Sequence, residues 1–253
     1  MEKISVIIIT KNEEDNIRDC LKSVDWADEI IVIDAESEDN TVEIARTFTD
    51  KIHIRKWQGY ADQKKYALSL AENEWVLSID ADERVTWELK NEILNLRPDC
   101  DGYSIRRKNY FLSKEITSCG WDKDYQLRLF RKSKTEVVNK LVHEGFSVTG
   151  KVEQLDNVIT HNTFSSIHNY LGKVNTYSSL KADELFKKNK GKVTRWTIFS
   201  HTFSAFFRYY ISLKGFKDGM YGLIISAVNA ISTLLNYTKL WELQMRGPSK
   251  KIV

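Results

Sequence analysis

A chain of 253 residues with 42% apolar side chains can bury a sizeable core, and its length allows one large domain or one domain with an appendage. Three widely spaced cysteines, Cys20, Cys100 and Cys119, exclude a disulfide framework and a cysteine-based zinc site, and read as ordinary thiols of a reducing compartment. The net charge of +3 conceals an uneven distribution: residues 1–164 carry 24 Lys and Arg against 31 Asp and Glu, whereas residues 165–253 carry 14 against 4. An acidic first part and a basic second part predict two regions with separate tasks, divided near residue 164.

The first apolar run, "ISVIII" (4–9), is too short for a secretion signal and predicts a strand buried on both faces. Helical spacing follows at Ile17, Cys20, Leu21 and Val24. "EIIVID" (29–34) predicts a second buried strand, and residues 40–48 a helix with Asp39 or Asn40 at its start. A strand over 51–56, a helix over 61–71, a strand over 74–80 and a helix over 86–96 capped by Thr86 continue the alternation. Strand–helix repetition at this spacing predicts an α/β fold, a mostly parallel sheet flanked by helices. Residues 102–108 and 125–131 alternate as further strands, and 140–152 as short strands or a hairpin. From about 165 the pattern turns helical, near 168–189, 195–212 and 216–243, which predicts a C-terminal helical extension.

Ligands of such a sheet bind beyond the carboxyl ends of its strands. Three polar clusters stand there: "TKNE" (10–13), "DAESEDNT" (34–41) and "DADE" (80–83). No glycine-rich dinucleotide fingerprint follows the first strand. "GFSVTGKV" (145–152) only approaches a triphosphate loop, because Val152 replaces the magnesium-holding hydroxyl and no helix pattern follows, so a β-turn is expected. Asp80 and Asp82 form an Asp-x-Asp pair whose hard oxygens suit Mg2+ or Mn2+, and a bound cation would offset their mutual repulsion. Asp34 is placed to accept a hydrogen bond from a base or ribose, Glu13 stands beside Thr10 for similar work, and Ser37 and Asn40 read as caps of the next helix. Lys64 and Lys65 open a helix where cations could meet a diphosphate.

The ordered set "VIIITKNEEDNIRDCLKSV", "IIVIDAESEDNT", "QKKYAL" and "WVLSIDADE" resembles the inverting, family 2, GT-A-type glycosyltransferases, and more narrowly the bacterial lipopolysaccharide-core β-1,4-glucosyltransferases. "CGWDKDYQLRLFRK" (119–132), "VHEGF" (142–146) and "GFKDGMYG" (215–222) extend the likeness over most of the chain. The resemblance implies a GT-A, Rossmann-like domain over 1–164 that binds a nucleotide sugar. Thr10 and Glu13 would line the nucleotide pocket, Asp34 would accept from uracil or its neighbour, and Asp80 would support the nucleotide sugar. Asp82 would hold Mn2+ or Mg2+. Lys64 and Lys65 stand where relatives place Arg and Asn, so the diphosphate role stays open. The resemblance also implies a general base, for which Glu144 and Asp124 rank equally, ahead of Asp122. His143 and His161 read either as structural hydrogen-bonders or as completing the metal sphere, and Trp121 either as a sugar platform or as core.

Residues 195–243 interleave aromatic side chains with cations, as an interfacial helix does. Polar residues interrupt 220–237, which favours a packed or peripheral helix over a membrane span. The expected activity is transfer of a sugar, glucose from UDP-glucose, to a lipopolysaccharide inner-core acceptor. The partners expected with it are a lipid-linked oligosaccharide and an anionic membrane surface at the cytoplasmic face of a bacterial plasma membrane, with no nucleic acid. The same donor chemistry on capsule, glycolipid or peptide, and a catalytically silent sugar-nucleotide-binding scaffold, are the alternatives.

Overall fold

The computed structural model of the protein describes residues 2–138, 145–164, 166–188 and 191–246. The chain forms two compact units: one holds the residues up to Lys108 together with Lys123–Asn162, the other Asn109–Asp122 together with the residues from Thr163 onward. The last of the three crossings lies after Asn162, beside the division at 164 that the charge distribution predicts, but the segment 109–122 joins the second unit as well.

Strands β1 (Ile4–Thr10), β2 (Glu29–Asp34), β3 (Ile52–Ile54) and β4 (Trp75–Asp80) lie parallel in the order β3-β2-β1-β4. Helices α1 (Ile17–Ser23), α2 (Thr41–Ala45) and α3 (Tyr60–Leu70) connect them. Side chains alternate across a strand, and both faces here are covered. Val6, Ile8, Val32 and Leu77 pack on one face with Ile17 and Leu21 of α1, whereas Ile7, Ile31, Ile33 and Val76 pack on the other with Ala67 and Leu68 of α3. The near-continuous apolar runs are the consequence of that double burial.

Beyond β4 the sheet turns antiparallel. Short β5 (Glu83–Val85) precedes helix α4 (Trp87–Asn95), which Thr86 caps by accepting from the Leu89 amide at 3.2 Å. Then come β6 (Gly102–Phe111), β7 (Lys114–Glu115) and β8 (Tyr125–Arg131). Strands β9 (Thr135–Val138) and β10 (Gly145–Val148) pair antiparallel, and the long β11 (Val152–Phe164) follows. Among the described residues the main sheet has nine strands, ordered β3-β2-β1-β4-β8-β6-β11-β5 with β7 on β6. Only Ala81 and Asp82 separate β4 from β5, yet β5 is the last strand of the order. The far edge must therefore curl back to the end of β4. "GFSVTGKV" is β10, a turn and the start of β11, with Gly150 at φ +135°, so the β-turn reading holds.

The second unit is built on α5 (Ile167–Lys187), α6 (Arg195–Phe207) and α7 (Met220–Arg246). A single turn of π-helix, Arg208–Ser212, extends α6, matching the helix expected to 212. Phe111, Ile116 and Cys119 pack with Tyr170, Val174, Ile225 and Val228. The buried Asp218 carboxylate accepts from Ser118 Oγ at 2.6 Å, the Thr117 amide at 3.0 Å and Lys114 Nζ at 3.4 Å. These contacts give "GFKDGMYG" a structural reason: Asp218 anchors the 109–122 segment, and a Cβ on Gly222 would stand 1.8 Å from the Gly215 carbonyl oxygen. Gly222→Ala is expected to destabilise the protein by about 1–3 kcal/mol, because the close backbone approach must open. Urea unfolding followed by circular dichroism checks this, and Gly172→Ala, with open space at its Cβ, is the control.

Candidate active site at the strand ends

The parallel register brings three predicted residues into one row. Thr10 pairs with Asp34, and Ile9, its neighbour on β1, pairs with Asp80. The Thr10 hydroxyl oxygen is buried with no hydrogen-bond partner among the described residues. Such an orphan is costly unless a ligand or water meets it.

The loops after β1 and β2 are fastened to each other. Asp34 is buried; its Oδ1 accepts from the Ser37 amide at 2.8 Å and its Oδ2 from the Ser37 hydroxyl. Ser37 Oγ accepts from the Asn12 amide at 2.8 Å, and Asn12 Oδ1 accepts from the Glu38 amide at 2.9 Å. Thr41 Oγ1 accepts from the Glu13 amide at 2.8 Å, and the Glu14 carboxylate accepts from both the backbone and side-chain nitrogens of Asn40. Ser37 and Asn40 therefore tie two loops together and Asn40 makes no side-chain cap on α2, while Asp39, the other residue expected at the helix start, accepts through Oδ1 from the Thr41 amide at 3.0 Å. Glu13 accepts from Asn16 Nδ2 at 2.8 Å, and Asn16 Oδ1 accepts from Arg84 Nη2 at 3.1 Å, which links the first loop to the Asp-x-Asp turn.

At that turn, charge is balanced by partners from elsewhere in the chain. Arg128 of β8 is only 4% exposed and donates through Nη2 to Asp80 at 2.6 Å and to Glu83. Arg107 of β6 lies 3.3 Å from Glu83 and donates to Asp124 Oδ2 through Nε at 2.8 Å and Nη2 at 2.7 Å. Asp124 Oδ1 accepts from Gln126 at 2.8 Å. Lys64 Nζ stands 3.7 Å from the other oxygen of Asp80, while Lys65 is exposed. The result is a continuous file: Asp124, Arg107, Glu83, Arg128, Asp80, Lys64.

Burial acts to raise the Asp80 pKa, but the Arg128 and then the Lys64 charges overcome it and hold the carboxyl well below the usual range. Glu83 is fully buried, and there burial outweighs the Arg128 charge, so its pKa is raised. Cys20, whose Sγ lies 3.5 Å from the Asp80 carbonyl oxygen, is pushed far up by burial and is an inert thiol. Asp82 is held differently: its carboxylate lies 3.4 Å from His161 Nε2 of β11, and its carbonyl accepts from the Asn162 amide at 3.0 Å.

Of the predicted residues, Thr10, Asp34, Lys64, Asp80 and Asp82 gather at the strand ends, Glu13 joins through Asn16 and Arg84, and Asp124 joins through Arg107. Asp122 is exposed, and Trp121 packs with its ring 6.3 Å from that of Phe164. Glu144 and His143 lie outside the described residues. Sequence reasoning passed over Glu83 as a mere neighbour and gave no role to Arg107 or Arg128. Their one signal was the presence of cations within the alternating strands 102–108 and 125–131.

The model of the Glycosyl transferase family 2 matches residues 5–139. The chain is 32% identical over 262 aligned positions to an uncharacterized glycosyltransferase of Rickettsia typhi, spanning 98% of this chain and 89% of that one. It is 28% identical to the lipopolysaccharide core biosynthesis glycosyltransferase LpsC of Rhizobium meliloti, over 94% of this chain and 92% of that one. In fold it is similar to the mannosyltransferase PcManGT of Pyrobaculum calidifontis, solved with GDP-mannose and Mn2+, at a TM-score of 0.55 and 13% identity over 95% and 88% of the two chains.

Removing Arg128 leaves the buried Glu83 beside Asp80 with only Arg107 and Lys64 to offset their repulsion. Arg128→Met is expected to lower stability by about 3–5 kcal/mol at neutral pH. Without their cation both carboxyls have raised folded-state pKa values, so that loss is largest at high pH and shrinks as the pH falls and the acids take up protons. Urea unfolding across the acid range, with Glu83→Gln added to the variant as partial rescue, measures both effects.

Proposed function

The chain belongs to glycosyl transferase family 2 and is a glycosyltransferase, and from that premise we propose that it transfers glucose from UDP-glucose, with inversion, to a lipopolysaccharide inner-core acceptor. The observation that carries the reading is the strand-end row Thr10, Asp34 and Asp80 with Lys64 beside it and Asp82 on the adjoining turn. Likeness to LpsC over nearly the whole chain supports the acceptor class, and the donor and ion of the mannosyltransferase support a nucleotide diphosphate sugar with a divalent cation. The acceptor reading sets the enzyme at the cytoplasmic face of the plasma membrane, against an anionic surface.

The residues present suit one divalent ion. Asp80 is committed to Arg128 and Lys64, whereas Asp82 offers a carboxylate oxygen with the His161 imidazole 3.4 Å away. Asp82 and His161 would hold Mn2+ or Mg2+, which when bound stabilises the charge developing on the leaving diphosphate. Lys64 serves the same diphosphate from α3. Asp80, kept ionised, accepts from donor hydroxyls and cannot act as an acid at neutral pH. Asp34 and Thr10 accept and donate around the base and ribose, and Glu13 borders them.

In the reaction the acceptor oxygen forms a bond to the anomeric carbon on the face opposite the nucleotide. The bond from that carbon to the diphosphate oxygen breaks, and the acceptor proton passes to a carboxylate. Asp124 is suited to receive it, because Arg107 and Gln126 fix the orientation of the group. Glu144 is the rival for that proton.

Calorimetric titration with UDP-, GDP- and ADP-sugars is expected to select UDP-glucose in the presence of Mn2+. Asp82→Ala should lose the Mn2+ enhancement and lower turnover by at least ~100-fold with its circular dichroism unchanged. Undiminished turnover would remove Asp82 from the metal role.

For the base, Asp124→Asn is expected to lower kcat by about 10²–10⁴-fold with donor affinity retained, and to abolish the acid limb of the kcat profile. The same loss in Glu144→Gln, with Asp124→Asn near wild type, would assign the proton to Glu144.

A further inference from the structure

Helix α6 carries an aromatic stripe that the second unit leaves bare. Trp196, Phe199, Phe203 and Phe207 are 70%, 59%, 56% and 45% exposed. Their spacing of three and four residues puts them on one helical face. Successive ring centroids lie 5.8, 5.8 and 4.6 Å apart, so the rings form one continuous strip. The stripe extends over roughly 16 Å at the α-helical rise per residue. The opposite side of α6 is committed inward, with Ile198 packed in the cluster of Val193, Ala182 and Leu240.

The charge around the stripe is of one sign. Residues 185–217 contain eight Lys and Arg and no Asp or Glu. Among them Lys192, Arg195, Arg208, Lys214 and Lys217 are exposed, so cations stand before, beside and after the rings. Helix α7 is long and apolar enough by length and composition to cross a membrane. Yet Ile225, Val228 and Leu240 of α7 belong to the core of this unit, and Lys239 Nζ is spent on the Asn175 carbonyl at 2.7 Å and Ser178 Oγ at 2.8 Å. Helix α7 also exposes apolar side chains, among them Met220, Ile231, Trp241 and Met245, but the continuous strip of rings is on α6.

We propose that α6 lies in the plane of an anionic bilayer surface, with Trp196, Phe199, Phe203 and Phe207 entering the boundary between headgroups and acyl chains and the flanking cations meeting lipid phosphates. A linear strip of rings bracketed by cations matches that boundary, where aromatic side chains partition and anionic headgroups attract Lys and Arg. A second copy of the chain fits poorly, because self-pairing of the stripe would set the same cations against one another. The proposal extends the membrane reading given above to named residues, and it stands apart from the donor chemistry.

The test uses the full chain and sedimentation with vesicles of phosphatidylcholine, alone or mixed with phosphatidylglycerol. Wild type is expected to bind the mixed vesicles and be released by salt. The triple variant Trp196→Ser, Phe199→Ser, Phe203→Ser is expected to bind them at least ~10-fold more weakly, with its melting temperature and UDP-glucose affinity unchanged. The pair Lys192→Glu, Arg195→Glu, which keeps the rings, is expected to lose the preference for phosphatidylglycerol. Equal vesicle binding by the triple variant overturns the proposal, as does a wild type that sediments with neither vesicle. A wild-type dimer that the triple variant converts to monomer also overturns it and makes the stripe a protein interface. Because donor affinity is read in the same samples, failure here is distinguishable from failure of the transferase reading.

Discussion

A guanidinium shut between two carboxylates, Arg128 between Asp80 and Glu83, is the constraint on which the strand-end site rests. The turn from β4 to β5 brings Asp80 and Glu83 together, and acids this close repel each other. One fixed cation lets Asp80 stay ionised at the rim while Glu83 lies fully buried beneath it. Arg107 continues the arrangement toward Asp124, so an acid far along the chain is tied to the same electrostatic frame. Asp82, on the same turn, faces the His161 imidazole at 3.4 Å.

Around this frame the backbone is held by unusually local means. The loops following β1 and β2 satisfy one another through Ser37, Asn12, Thr41 and Glu14, and the Ala35 amide donates to the Thr10 carbonyl at 2.9 Å. Preorganised loops lose less freedom when a ligand arrives. The fold thus separates rigidity of the strands, supplied by double-sided burial, from rigidity of the loops, supplied by side-chain to backbone bonds.

Much of this was legible in the residues. The β-branched runs at 4–9, 29–34 and 74–80 could only be strands buried on both faces, and the polar clusters after them marked the ligand edge. The three segments of the helical extension were also readable from periodicity. What escaped was whatever depends on distant pairing. Strand β5 is three residues long and hides inside an acidic turn. Strand β11 alternates apolar and polar residues across a region that the change in charge made look like a boundary. Glu83 looked expendable because burial has no signature at a single position. The partners that explain it, Arg107 and Arg128, stand 24 and 45 residues away in sequence. Hydrogen bonds across that separation are decided by sheet order, which periodicity does not encode.

The excursion of residues 109–122 into the second unit bears on how this architecture can be rearranged. The chain passes from one unit to the other and back before the helices begin, so the helical part is not an appendix sewn on at one seam. Severing the chain near 164 would strip Asp218 of Ser118 and Thr117 and uncover Phe111 and Ile116. A shorter relative could not arise by losing its tail alone, and a hybrid enzyme that borrows another helical part must borrow two separate pieces of chain. Inheritance of the two units is therefore coupled: drift in the loop at 117–119 is answerable to the turn at 215–222, a hundred residues later.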